Sequence, residues 1–200
     1  MRHEQHFWWT TLGRGLLALI AGSAILVVPD MTRTVLLRPL AMSVSIVSLA
    51  AYGVFDSVLV CISSYMAATA KARFALRVQG VVGIGVGVMI YMTFFSHSQM
   101  HWFLVLVAAQ ALATSISEFA VAHHASTRAI SRWNYAAATV ALLAALVYAG
   151  IRIFLIDTLT AQVLAMLVYG YLIAFGTSLC LTAARMLYAD FHLPPTGNAS

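Results

Sequence analysis

Residues Phe7 to Pro29 read FWWTTLGRGLLALIAGSAILVVP. The run opens on aromatic residues and continues almost wholly apolar. As a helix rising 1.5 Å per residue it is long enough to cross about 30 Å of hydrocarbon. One residue resists that reading. Arg14 lies well inside the run, where a charge costs at least about 2.5 kcal/mol on insertion scales. A membrane helix that keeps an arginine at this depth needs a partner for it.

The rest of the chain sets the same problem. It has 200 residues, 62% hydrophobic and only 8% charged, with a mean hydropathy of +0.91. A soluble domain carries roughly 25% charged residues, so too little polar surface is present to cover a water-facing globule. Apolar runs at 7–28, 40–64, 74–95, 101–122, 133–152 and 160–184 predict an all-α polytopic membrane protein with six transmembrane helices. They fill a single domain over 1–187 and leave 188–200 as a polar, flexible tail with two prolines. The basic start and first apolar run could suggest a signal peptide. Arg14, the lack of an Ala-x-Ala site before Pro29, and the five later runs favour a retained first span.

Basic residues give an expected orientation. With the N-terminus in the cytoplasm, Arg2, Lys71, Arg73, Arg77, Arg128, Arg132 and Arg185 fall inside. Arg33, Arg38 and Arg152 fall outside. This excess predicts that both termini are cytoplasmic. Phe7, Trp8, Trp9, Trp102, Trp133 and Tyr188 lie near span ends, as interfacial aromatics do. The net charge of +5 then reflects topology and contact with the lipid bilayer. No basic-aromatic module for nucleic acid is present.

The spans repeat as three helical hairpins, near 7–65, 73–123 and 132–187. Span 1 carries Gly15, Ala18 and Gly22. Span 3 carries Gly80, Gly83 and Gly87, and span 5 carries Ala138, Ala141 and Ala145. The shared three-then-four spacing puts each trio on one helix face, where small residues let backbones approach closely. Those faces could serve contacts within one chain, in a homo-oligomer or with other membrane proteins. The even spans carry a weaker echo: Ala51-Tyr52-Gly53, Ala109-Gln110-Ala111 and Val168-Tyr169-Gly170.

Charges inside the spans form the candidate site. Arg14 and Asp56 lie at similar depth on the two helices of the first hairpin, and Arg77 and Glu118 do the same in the second. These spacings predict two intramembrane ion pairs, Arg14–Asp56 and Arg77–Glu118, with the second pair nearer the cytoplasmic surface. By the small-residue ladder, Arg14 matches Gln79 in the second hairpin and Ala137 in the third. Such pairs can fix helix register, or mark an ion or proton path. Arg77 and Glu118 could also snorkel to the interface.

Other chemistry is sparse. His97 and His101 border an outer loop, where histidines could sense acid, and His123-His124 end span 4. Cys61 and Cys180 sit in apolar runs as small hydrophobes. No Cys/His cluster predicts a metal site, no nucleotide or nucleophile motif predicts a cofactor or catalytic residue, and no small-molecule ligand is identifiable. The glycine-rich run from Gly80 lies mid-span and reads as packing.

The first hairpin resembles the HdeD-type family of membrane proteins. The resemblance rests on Trp8-Trp9, Arg14-Gly15, Gly22 and Pro29, and on AAYGVFDSVLV from Ala50 to Val60, where Asp56 matches and Ser57 replaces a common glycine. It is good over 7–65, loose over 73–122 and mainly architectural beyond. It implies a short two-span repeat, a bacterial inner-membrane location and a non-enzymatic role in acid or stress resistance. The alternative is a small membrane transporter or proton-responsive channel. Charges confined to the inner half of the spans argue against a continuous path.

Overall fold

A computed structural model describes residues 8–31, 38–67, 69–95, 100–124, 128–155 and 161–192. All six elements are helices: α1 (Trp8–Met31), α2 (Arg38–Met66), α3 (Ala70–Phe95), α4 (Met100–His123), α5 (Arg128–Phe154) and α6 (Ala161–His192). The described residues contain no strand. Five stretches are long and apolar enough to cross a membrane: Ile46–Tyr65, Ala70–Met92, Trp102–His123, Ile130–Phe154 and Val163–Ala189. α1 adds a 24-residue helix packed beside α2 and α6. The protein is therefore an all-α polytopic membrane protein.

Several boundaries differ from the hydropathy reading. α6 runs to His192, so 188–192 is helix where tail was expected. α5 begins at Arg128, which places Arg128 and Arg132 in its first turns. Polar anchoring explains why such ends extend past the apolar runs. Thr69 Oγ1 accepts from the Ala72 amide at 3.2 Å and caps α3. Arg73 donates from Nε to the Ala67 carbonyl at 3.0 Å, closing the end of α2. Ser131 Oγ donates to the Ala122 carbonyl at 2.9 Å, tying α5 to α4. Arg2, Arg33, His97 and residues 193–200 lie outside the described residues, as do the side chains of Pro29, Ser43, Ser45 and His101.

Each helix packs on its sequence neighbours, and α1 packs on α6, so the six close into a ring. The closest seams are α2/α3, α4/α5 and α6/α1. They join successive hairpins rather than the two helices of one hairpin. The small-residue ladders lie on these seams. A Cβ at Gly15 would meet the Gly176 carbonyl at 2.9 Å and Cys180 Sγ at 2.7 Å, while Gly22 faces Leu172 and Ile173. On α3, Gly80 faces Cys61 and Ser57, Gly83 faces Ser57, and Gly87 faces Val54 and the Ala50 carbonyl. Ala138 and Ala141 are fully buried on α5, whose closest neighbour is α4. Rising numbers on the odd helix meet falling numbers on the even one, so the seams are antiparallel.

The ring is mostly apolar inside and out. Phe175, Leu172, Leu104, Ala137 and Tyr148 are buried. Ile20, Phe55, Val81, Ile116, Leu146 and Met166 face outward with more than half their surface exposed. In water that exterior would aggregate; in lipid it is ordinary. Several serine and threonine hydroxyls within the helices are satisfied locally. Ser57 donates to Gly53 O, Ser63 to Leu59 O, Ser178 to Phe175 O and Thr182 to Ser178 O. This spares the bilayer an unpaired donor.

Backbone contact at the α6/α1 seam sets a test. Gly176→Ala would drive a methyl to 2.8 Å from the Gly15 carbonyl, which no rotamer change relieves. It should destabilise by about 1–3 kcal/mol, the usual range for overpacking. Gly170 has open space around its Cβ position, so Gly170→Ala on the same helix should leave the melting temperature in detergent unchanged or slightly raised.

Candidate functional site

Three charged residues are buried among the described residues: Arg14, Asp56 and Glu118. They form one cluster. Arg14 Nε lies 2.8 Å from Asp56 Oδ1, and Arg14 Nη1 lies 2.7 Å from Glu118 Oε1. Arg14 is 5% exposed, Asp56 1% and Glu118 2%, so bulk water screens neither contact. The third nitrogen, Nη2, is buried and has no hydrogen-bond partner.

The ring explains this geometry. α1 and α2 are neighbours, but α1 and α4 are not. Arg14 reaches inward from α1 and meets carboxylates from two helices. The long guanidinium arm suits this span, because its planar fork donates in more than one direction. Both hydrogen bonds are charge-assisted, the stronger kind.

The Arg77–Glu118 pairing expected from the sequence is corrected. Glu118 turns into the ring and joins Arg14. Arg77 is exposed, with its guanidinium carbon 5.4 Å from the centre of the Tyr65 ring. The two acids therefore serve one arginine. Similar distance from a helix end had suggested the Arg77 pairing, but helix rotation points Arg77 outward.

The second hairpin holds a neutral counterpart. Gln79 Nε2 donates to Thr114 Oγ1 at 3.1 Å, and Ser117 Oγ donates to Gln79 Oε1. Gln79 stands where Arg14 stands, and Thr114 where Asp56 stands. In the third hairpin the corresponding residues are Ala137 and Phe175, both fully buried. The register of α6 follows from the residues that α2, α4 and α6 present to a central cavity: Leu49, Tyr52 and Gly53; Val107, Gln110 and Ala111; Val168, Tyr171 and Leu172. The even-helix echo therefore matches Tyr52 with Gln110 and Tyr171. The Val168-Tyr169-Gly170 alignment is two residues out of register. In the same register Cys61 matches Cys180, and each free thiol faces a glycine of the adjoining odd helix.

That cavity, of about 30 Å³, lies one helical turn from the cluster. Tyr52 precedes Asp56 by four residues and Thr114 precedes Glu118 by four. Polar Tyr52, Gln110, Thr114 and Tyr171 share its wall with aliphatic residues from α2, α3, α4 and α6. Tyr52 and Tyr171 are within Coulombic range of Arg14, Asp56 and Glu118. None of these wall residues had been singled out as site residues. The signal existed on α4, where Gln110, Thr114 and Glu118 recur every four residues and so share one face.

Other candidate residues stay apart from the cluster. His123 and His124 make an edge-to-face pair at the end of α4, with His124 Nδ1 2.8 Å from the Ala120 carbonyl. No group of three or more His, Cys, Asp or Glu that could hold a metal ion occurs among the described residues. Compared with protein-family models, curated proteins and solved structures, the chain matches none.

The charge balance predicts unequal substitution costs. Arg14→Met strands two buried carboxylates and should cost about 3–5 kcal/mol, the range for breaking a buried pair. Asp56→Asn and Glu118→Gln each leave a one-to-one pair and should cost less. Arg77→Ala should leave stability close to wild type. Thermal unfolding of the four purified variants in one detergent gives the order.

Proposed function

We propose that this protein is a non-enzymatic inner-membrane protein of bacteria, with cytoplasmic termini, that contributes to acid or stress tolerance. Its working element in this reading is the Arg14–Asp56–Glu118 cluster. The observation that carries the proposal is one buried guanidinium held by carboxylates from two different helices. The resemblance of residues 7–65 to the HdeD type supports the physiological setting, as does the excess of basic residues on the expected cytoplasmic side.

The geometry supports one mechanism for this reading. The reading requires that acidification neutralise the carboxylates that hold Arg14. Each protonation weakens a contact between α1 and another helix. Once both contacts are neutralised, a buried cation is left without a counter-charge, a costly state in low dielectric. Relief comes by moving Arg14 or loosening the helices around it, which makes the cluster a two-state element biased by pH.

The axial cavity favours a second reading, a proton-responsive channel or small transporter. Its polar wall at Tyr52, Gln110, Thr114 and Tyr171 is the start of a path. Leu49, Val86, Ile90, Val107 and Val168 make the rest of the wall apolar, which opposes a continuous one.

Acid-shock survival separates these outcomes. In a deletion strain, the wild-type gene should restore survival, and Asp56→Asn at equal membrane level should not. Equal rescue by both would reduce the cluster to scaffold. Proton or solute flux in proteoliposomes, absent in the leading reading, would establish the second.

A further inference from the structure

We infer that the lipid-facing groove between α2 and α3 binds the headgroup of an anionic glycerophospholipid, with Arg73 and Arg77 as phosphate ligands and Tyr65 positioning Arg77. The site lies on the outer surface of the ring, apart from the buried cluster, and is independent of the acid-response reading. Arg73 and Arg77 are four residues apart on α3, so they share a face one turn apart. Both are exposed, and both lean on the same end of α2. Arg73 donates from Nε to the Ala67 carbonyl at 3.0 Å. Arg77 holds its guanidinium carbon 5.4 Å from the centre of the Tyr65 ring, in the last turn of α2.

The depth of Arg77 calls for an anion. It lies within Ala70–Met92, a stretch apolar enough to cross a membrane, roughly 10 Å along the helix from Ala70. Phe74, Val78 and Val81 are exposed around it, so the surface it shares suits acyl chains and not water. A cation facing lipid there is costly unless its arm reaches an anion at the interface. No acid supplies one, since both ion pairs among the described residues belong to Arg14. The contact with Tyr65 is to the ring and satisfies none of the N–H donors of Arg77. Headgroup phosphate is the anion that a bilayer presents at this level.

The charge of the groove selects among headgroups. Two guanidinium groups with no acid beside them repel the cation that a zwitterionic headgroup carries, and an anionic headgroup has none. Arginine forks match phosphate oxygens in a bidentate manner. The contacts to Ala67 and Tyr65 hold the two arms near one another before lipid arrives, which lowers the ordering cost of binding. Val58 lies two turns before Tyr65 on α2, and Val81 one turn beyond Arg77 on α3. Both are exposed, so an acyl chain of the same lipid has an apolar track leading away from the arginines.

Native mass spectrometry of the full chain in detergent tests the site, with phosphatidylglycerol and phosphatidylcholine of identical acyl chains as probes. The wild type should prefer phosphatidylglycerol. Arg77→Gln should weaken that binding about fivefold, the effect of one basic residue at an anionic surface, and leave phosphatidylcholine binding unchanged. Tyr65→Leu keeps both charges and should still reduce the preference. Arg185→Gln removes an exposed arginine on α6 and should leave the preference intact. Equal binding of the two lipids by the wild type, or an unchanged preference in Arg77→Gln, would overturn the inference. Equal losses from Arg77→Gln and Arg185→Gln would do the same, by reducing the effect to diffuse attraction. Excess inorganic phosphate should not displace the lipid; displacement would overturn the lipid assignment in favour of free phosphate. Thermal unfolding in the same detergent checks the fold. Arg77→Gln should match the wild type without lipid and lose most of the stabilisation that phosphatidylglycerol gives the wild type.

Discussion

Arg14 is the one buried cation among the described residues, and it touches two helices besides its own. Apolar packing in lipid gives little directional preference, because lipid tails resemble leucine as closely as leucine does. A ring of six mutually apolar helices could rotate or slide at small cost. A guanidinium fixed to carboxylates on α2 and α4 removes that freedom. It sets the rotation of α1, the depth of α2 and the approach of α4 in one constraint. The neutral Gln79–Thr114–Ser117 network does a weaker version of the same job between α3 and α4.

The ladders do different work. Gly15 and Gly176, and the glycines of α3 against α2, bring backbones close along the seams between hairpins. Close seams and polar cluster are complementary. The seams supply contact area and the cluster supplies register. Arg14 and Gly15 are adjacent in the chain, so one turn of α1 presents the charge to the ring interior and the small residue to α6.

Much of this was legible in the sequence, for reasons that lie on single helices. The number of helices followed from hydropathy, ladder positions from spacing, and Arg14 beside Asp56 from equal depth on adjacent helices. Glu118 was misassigned because its contact depends on ring closure. α1 and α4 are distant in sequence, and nothing local records that α6 returns to α1. Arg77 was misread for a related reason, since depth along a helix says nothing about rotation around it. The third hairpin hid its register because its polar markers were replaced: Phe175 and Ala137 carry no trace of the pair they stand in for. Gln110 and Thr114 were available as a stripe leading to Glu118, but each is unremarked alone.

The repeat also has an electrostatic corollary. Three identical hairpins arranged around one axis would bring three guanidinium groups, each with its own acid, toward the same point, and so much buried charge would be costly to take out of water. Joining the hairpins into a single polypeptide lets each position differ: a cation on the first, an amide on the second, a methyl on the third. The acids are likewise distributed unequally, Asp56 at one level and Glu118 a turn further along. A broken three-fold arrangement of this kind can hold a single ionic centre on its axis, which a symmetric trimer of the same parts could not.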